Sequence, residues 1–157
     1  KPHATEYVSD GTSDSTVGNT DGVTYYYEHE TGVNAIKDGA SSAIAANIQS
    51  GDFDIAATQG GGADLRGDGE YMMKIRRVLP DFLTQTGDAR VTLLLKSYPT
   101  DSEASSSLGP FDTTTSTTKI DTRARARAIS LKVDNTSTGQ HWKLGTFRLD
   151  IQPDGRR

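Results

Sequence analysis

The sequence contains no cysteine, which excludes disulfide scaffolds and cysteine-ligated metals. It also lacks an apolar run near the roughly 20 residues that span a bilayer as a helix. No positively charged start followed by an apolar stretch is present, so no signal peptide is visible. A chain that opens at Lys1 rather than Met reads as a processed or excised piece of something longer. Hydrophobic residues are scarce, at 33%, against roughly 45–50% for ordinary domains when glycine is counted. One modest core is what 157 residues of this composition can build. A strong charge of either sign is missing too: 17 bases against 21 acids leave −4, which gives no global electrostatic argument for nucleic-acid binding.

Ser, Thr, Asp and Gly fill the space that apolar residues leave. From Lys1 to about Gly22 they dominate, with turn pairs Asp10-Gly11 and Asp21-Gly22, and the stretch reads as a flexible linker or the remnant of a preceding domain. Val23 to Glu30 alternates and is rich in aromatics, which predicts a strand. Glu70 to Leu79 alternates as well, with Met73 and Ile75 facing one way and Lys74 and Arg76 the other, and Pro80 ends it. Further strands are expected over Arg90–Ser97, Arg123–Val133 and Trp142–Ile151, with a weaker pair at Ala43–Gln49 and Gly51–Ile55. Thr100 to Thr118 reads as a polar loop, and only Ala35 to Gln49 has a spacing compatible with a helix. Short strands separated by turn signals predict an all-β fold, an antiparallel, jelly-roll-like β-sandwich with long polar loops over residues 23–157.

The segment Thr122 to Val133 (TRARARAISLKV) carries the most information about function. In a regular strand Arg123, Arg125 and Arg127 share one face, and Ile129, Leu131 and Val133 share that same face. Either a bulge near Ala128 inverts the phase, or the arginines run past the core toward acidic groups or a neighbouring subunit. If the last two strands form a hairpin, Arg148, Asp150 and Asp154 lie roughly opposite the arginines, and plain cross-strand ion pairing accounts for them. A subunit interface and a DNA-facing surface are the functional alternatives.

Other candidates are weaker. Glu28-His29-Glu30 does not converge in a strand, because His29 points away from both carboxylates. Asp52 and Asp54 share a face but lack the spaced oxygen ligands of a calcium loop. Gly60-Gly61-Gly62 is not followed by the Lys-Ser/Thr pair of a phosphate-binding loop, and Arg66-Gly67-Asp68 is common by chance. His3, His29 and His141 lie far apart with no i, i+4 pair, no nucleophile elbow is present, and Trp142 reads as core. No catalytic, cofactor-binding or metal-ligating residue is expected, and no cofactor.

Several strings occur together in order: YYYEHETG (Tyr25–Gly32), IQSGDFDI (Ile48–Ile55), DGEYMMKIRRVLPDF (Asp68–Phe82), DTRARARAISLKV (Asp121–Val133) and WKLGTFRLDIQPDGRR (Trp142–Arg157). Together they resemble the C-terminal region of the tail tube or nozzle proteins of short-tailed phages, also described as packaged-DNA stabilisation proteins. That family tends to have Gly where this chain has Ala126. The resemblance implies a non-enzymatic structural component of the virion, located in the phage tail. It also implies a hexamer that contacts neighbouring tail or adaptor proteins and touches DNA non-specifically, with no membrane partner. Arg123, Arg125 and Arg127 are the residues expected at a subunit interface or facing DNA. The alternatives are a carbohydrate- or receptor-binding β-module of a tail, using Tyr25 to Tyr27 as a platform, and a capsid decoration protein.

Overall fold

In a computed structural model, residues 2–14, 19–29, 31–37, 39–57, 63–64, 69–98 and 100–155 are described. They hold only β-strands, and the chain divides into two compact units, Lys1–Gly32 and Val33–Arg157.

The first unit is a hairpin of β1 (His3–Asp14) and β2 (Asn19–Glu28). The register places His3 opposite Glu28 and Val8 opposite Val23, and slips between Ser9 and Ser13. The Ser/Thr/Asp-rich run expected to be a linker is therefore largely strand, and the unit boundary falls after Gly32 rather than after Gly22. Strand pairing is carried by backbone groups, which every non-proline residue supplies. The aromatic-rich β2 supplies the template. The backbone amide of His29 donates to the carbonyl of Pro2 at 2.9 Å, closing the open end.

The second unit opens with a hairpin, β3 (Asn34–Lys37) and β4 (Ala40–Ala43), followed by β5 (Ala46–Gln49). The helical spacing over Ala35–Gln49 is thus not realised. Gly39, at φ +74°, turns the chain back on itself where a helix would have to continue. A two-residue pair, β6 (Ala56–Ala57) and β7 (Ala63–Asp64), comes next. The body consists of β8 (Met73–Leu79), β9 (Phe82–Thr86), β10 (Ala89–Lys96), β11 (Ser106–Thr113), β12 (Ile120–Ala126), β13 (Ala128–Asn135), β14 (His141–Leu144) and β15 (Arg148–Pro153). Every pairing is antiparallel. One sheet runs β11-β10-β13-β5, a second runs β12-β8-β15, and β14 pairs with β9. The expected antiparallel β-sandwich is the architecture found, with no closed barrel.

Alternation fixes which side of each strand is buried. Met73, Ile75 and Val78 of β8, Ile120, Ala124 and Ala126 of β12, Val91 and Leu93 of β10, and Ile129 and Val133 of β13 form one cluster with Ile55. Each fully buried Val, Leu or Ile contributes about 1.5–3 kcal/mol. Phe82, Trp142, Leu144, Phe147 and Leu149 pack against this cluster from the rim, with the Phe82 ring edge-on to Trp142 and to Phe147.

Two expected elements divide differently. Thr100–Thr118 is not all loop, because Leu108 and Phe111 pack on the core and carry β11 along β10. Gly109 permits the register slip there: at φ +116°, a Cβ would lie 2.8 Å from the Val91 carbonyl oxygen. Trp142–Ile151 is two strands in two sheets, joined through Gly145. The amide of Gly145 donates to the Asp81 carbonyl at 2.8 Å, and a Cβ there would lie 2.7 Å from the same oxygen. This break explains why the segment is apolar on opposite parities before and after it.

In chemical denaturation followed by Trp142 fluorescence, Ile75→Ala is expected to cost about 2–5 kcal/mol. Gly145→Ala is expected to cost about 1–3 kcal/mol by overpacking against Asp81, whereas Leu83→Ala, 64% exposed, should stay within about 0.5 kcal/mol.

Candidate functional site

The arginine run does not lie in one strand. The chain leaves the three-stranded sheet at Ala126, bends at Arg127 and enters the four-stranded sheet at Ala128. Ala124 and Ala126 are buried before the bend, and Ile129 and Val133 after it. The inversion of phase expected from a bulge is thus a crossing between sheets, and the expected continuous strand Arg123–Val133 is corrected accordingly. Ala126, 3% exposed, fits this crossing with its methyl group turned inward.

The three arginines have three different environments. Arg127 is half-buried. One of its terminal nitrogens, Nη1, donates to the carbonyls of Gly69 at 2.9 Å and Glu70 at 2.8 Å, and its guanidinium lies 5.9 Å from the centre of the Tyr98 ring. Arg125 is ion-paired with Asp154 and also donates from Nη2 to the Asp154 carbonyl at 3.3 Å. Arg123 is exposed, and among the described residues no hydrogen bond or ion pair engages it. The partner expected for this run, the last strand, is not its neighbour, because β8 lies between β12 and β15. Of the three residues expected opposite the arginines, Asp154 reaches Arg125, while Asp150 stands opposite Arg77 and Arg148 opposite Leu79.

Sequence reasoning left out the contribution of β8. Lys74, Arg76 and Arg77 line the outer face of the same sheet with Arg123, Asp121 and Gln152, around a shallow groove of about 460 Å³. A bulge in β12 builds it. Asp121 pairs with Arg77 and Ala124 with Ile75, so Thr122 and Arg123 together stand opposite Arg76. The Thr122 hydroxyl donates to the Ile75 carbonyl at 2.9 Å and pins the bulge. Against β15 the slip is on β8, which turns Arg77 outward beside Arg76 against simple parity. Three cations within Lys74–Arg77 were visible in the sequence, but their placement beside Arg123 depends on strand order.

Asp121 is the acid in this groove. It accepts from Lys119 at 2.9 Å and from Arg77 Nε at 2.9 Å. These two bonds, the Lys119 bond foremost, hold its carboxyl below the ordinary carboxylate value. Arg76 and Arg123 have no such counter-ion among the described residues.

The remaining candidates do not assemble. Among the described residues no three His, Asp or Glu side chains gather as a metal site. Glu28 and His29 are exposed at the end of β2, and Glu30 lies outside the described residues. Asp52 is held by Lys96 at 2.6 Å. Gly60-Gly61-Gly62 and Arg66-Gly67-Asp68 also lie outside the described residues. Trp142 is half-buried against the core, as expected, and its indole N–H donates to Asn135 Oδ1 at 3.1 Å. Compared with known proteins, the chain matches no family model, no curated sequence and no solved structure.

Arg127→Ala removes the donor to two carbonyls, one of them on a buried residue, and is expected to cost about 1–3 kcal/mol. Arg123→Ala should stay within about 0.5 kcal/mol of wild type in the same melts. By NMR titration, Asp121 should release its proton below the usual carboxylate range, and Lys119→Ala should raise that pKa more than Arg77→Ala does. Because the folded pKa is depressed, the pairing is complete at neutral pH and is lost as the pH falls through the folded pKa.

Proposed function

We propose that this chain is a non-enzymatic structural module of a tailed-phage virion, part of the tail nozzle or tube that retains DNA and conducts it during ejection. The ordered series of segments from Tyr25 to Arg157 that resembles those proteins carries the reading. Three physical features support it. Hydrophobic residues make up only 33% of the chain. Ile36, Ile44 and Ile48 remain 66%, 52% and 48% exposed along β3 to β5, and β5 is an edge strand of its sheet. Such apolar surface at a sheet edge is where a neighbouring subunit completes burial. The groove on the other sheet is cationic, lined by Lys74, Arg76, Arg77 and Arg123 beside Asp121.

On this reading the chain forms a ring, with six copies about the tail axis, in contact with other tail or adaptor proteins. DNA contact is non-specific and confined to basic patches, since the protein as a whole is acidic. A second reading, a carbohydrate- or receptor-binding module, is favoured by one observation: Tyr26 is 67% exposed on β2, stacked on His3 at 5.2 Å between ring centres.

Cryo-electron microscopy of intact virions separates the two. A six-fold ring on the tail axis is the expected result. Copies at fibre tips, with a specific hit on a glycan array, would replace the tube by the adhesion reading.

A further inference from the structure

We propose that the basic groove on the outer face of β12-β8-β15 receives the acidic β1–β2 hairpin of a neighbouring copy, so that the chain assembles head to tail. The inference rests on the reading of the protein as a ring or tube subunit and names the contact that would build it.

Charge is divided between the two units. Lys1–Gly32 contains six of the 21 acids (Glu6, Asp10, Asp14, Asp21, Glu28 and Glu30) and one of the 17 bases, for a net −5; the remainder of the chain is then +1. Within that remainder Lys74, Arg76, Arg77 and Arg123 line the groove beside one acid, Asp121. Arg76 and Arg123 face each other across the β12 bulge as like charges, and no carboxylate among the described residues neutralises either. Like charges directly opposite one another in a sheet are destabilising, and an acidic occupant removes that cost.

A two-stranded ribbon is marginal in water by itself, and the β1–β2 hairpin carries its tyrosines at Tyr25 to Tyr27. Laid on the groove of the next copy, it gains both burial and charge complementarity. DNA is the less suitable occupant. No exposed aromatic side chain lines the groove for base stacking. A contact between two different patches is heterologous, and repeats into a ring when its rotation closes.

The test uses three full-length chains: wild type, a groove variant (Arg76→Gln with Arg123→Gln) and a hairpin variant (Glu6→Gln with Asp10→Asn and Asp21→Asn). Circular dichroism confirms that each is folded, and sedimentation velocity reads its association. Wild type is expected to self-associate about tenfold more weakly at about 0.5 M salt than at about 0.05 M. Each variant alone should associate about tenfold or more weakly than wild type. Mixed, the two variants should form a heterodimer of wild-type affinity that grows no further, since one retains only a hairpin and the other only a groove. A monomeric wild type, variants that associate like wild type, or a mixture that yields no heterodimer would each overturn the proposal. So would a groove variant that loses binding to a DNA duplex while self-associating normally, because the groove would then serve a polyanion. Association through these two faces by a chain that lies off the tail axis in the virion removes the tube and leaves this interface standing. A chain on the axis that ignores both faces does the reverse.

Discussion

Arg127 holds the two layers of the sandwich in phase. Its guanidinium bonds to the carbonyls of Gly69 and Glu70, just ahead of β8, while its own amide donates to the Lys96 carbonyl at the end of β10. One residue thus ties the middle strand of the three-stranded sheet to the neighbouring strand of the four-stranded sheet, at the bend where β12 becomes β13. An arginine suits the position because its fork serves carbonyls that a shorter side chain would leave without a donor. With the bend fixed, Ala124 and Ala126 must point inward and Arg123 and Arg125 outward. The basic face is therefore a consequence of the crossing.

A thin core needs its polar groups satisfied, and here they are. Thr113 donates to the Ala89 carbonyl at 2.7 Å, and Asp134 is held by Arg90 at 2.6 Å. Asn135 bridges Trp142 and the Ile44 carbonyl. Among the described residues no buried side-chain nitrogen or oxygen lacks a partner. These bonds contribute modestly when made and cost more when broken, so a chain with 33% hydrophobic residues can hold a single sandwich without a large apolar interior.

The strands that alternate strictly were legible in the sequence, because period two and burial coincide in them: Met73 and Ile75 against Lys74 and Arg76, and Val91 and Leu93 at the centre of β10. What was not legible depends on contacts distant in the chain. Nothing local marks His3–Asp14 as a strand, since its partner β2 supplies the template. Ser106–Thr113 lies within a low-complexity run and is ordered by Leu108 and Phe111 meeting the core. The arginine run announced a conflict of phase at Ala128, and its resolution at Arg127 needed the position of Gly69. The groove required knowing that β8 lies between β12 and β15, which brings Arg76 beside Arg123 across 47 positions of sequence.

The functional account follows from that arrangement. On the proposed reading, the exposed isoleucines near the edge strand β5 and the cationic outer face of β12-β8-β15 are the surfaces that meet neighbours. The most direct check of the crossing is arginine-specific modification by phenylglyoxal, read residue by residue by mass spectrometry on the folded chain. The account predicts rapid labelling of Arg123 and Arg76, slower labelling of ion-paired Arg125, and protection of Arg127 until the protein unfolds. Arg127 labelled as fast as Arg123 would contradict it, because the two layers would then be joined in some other way.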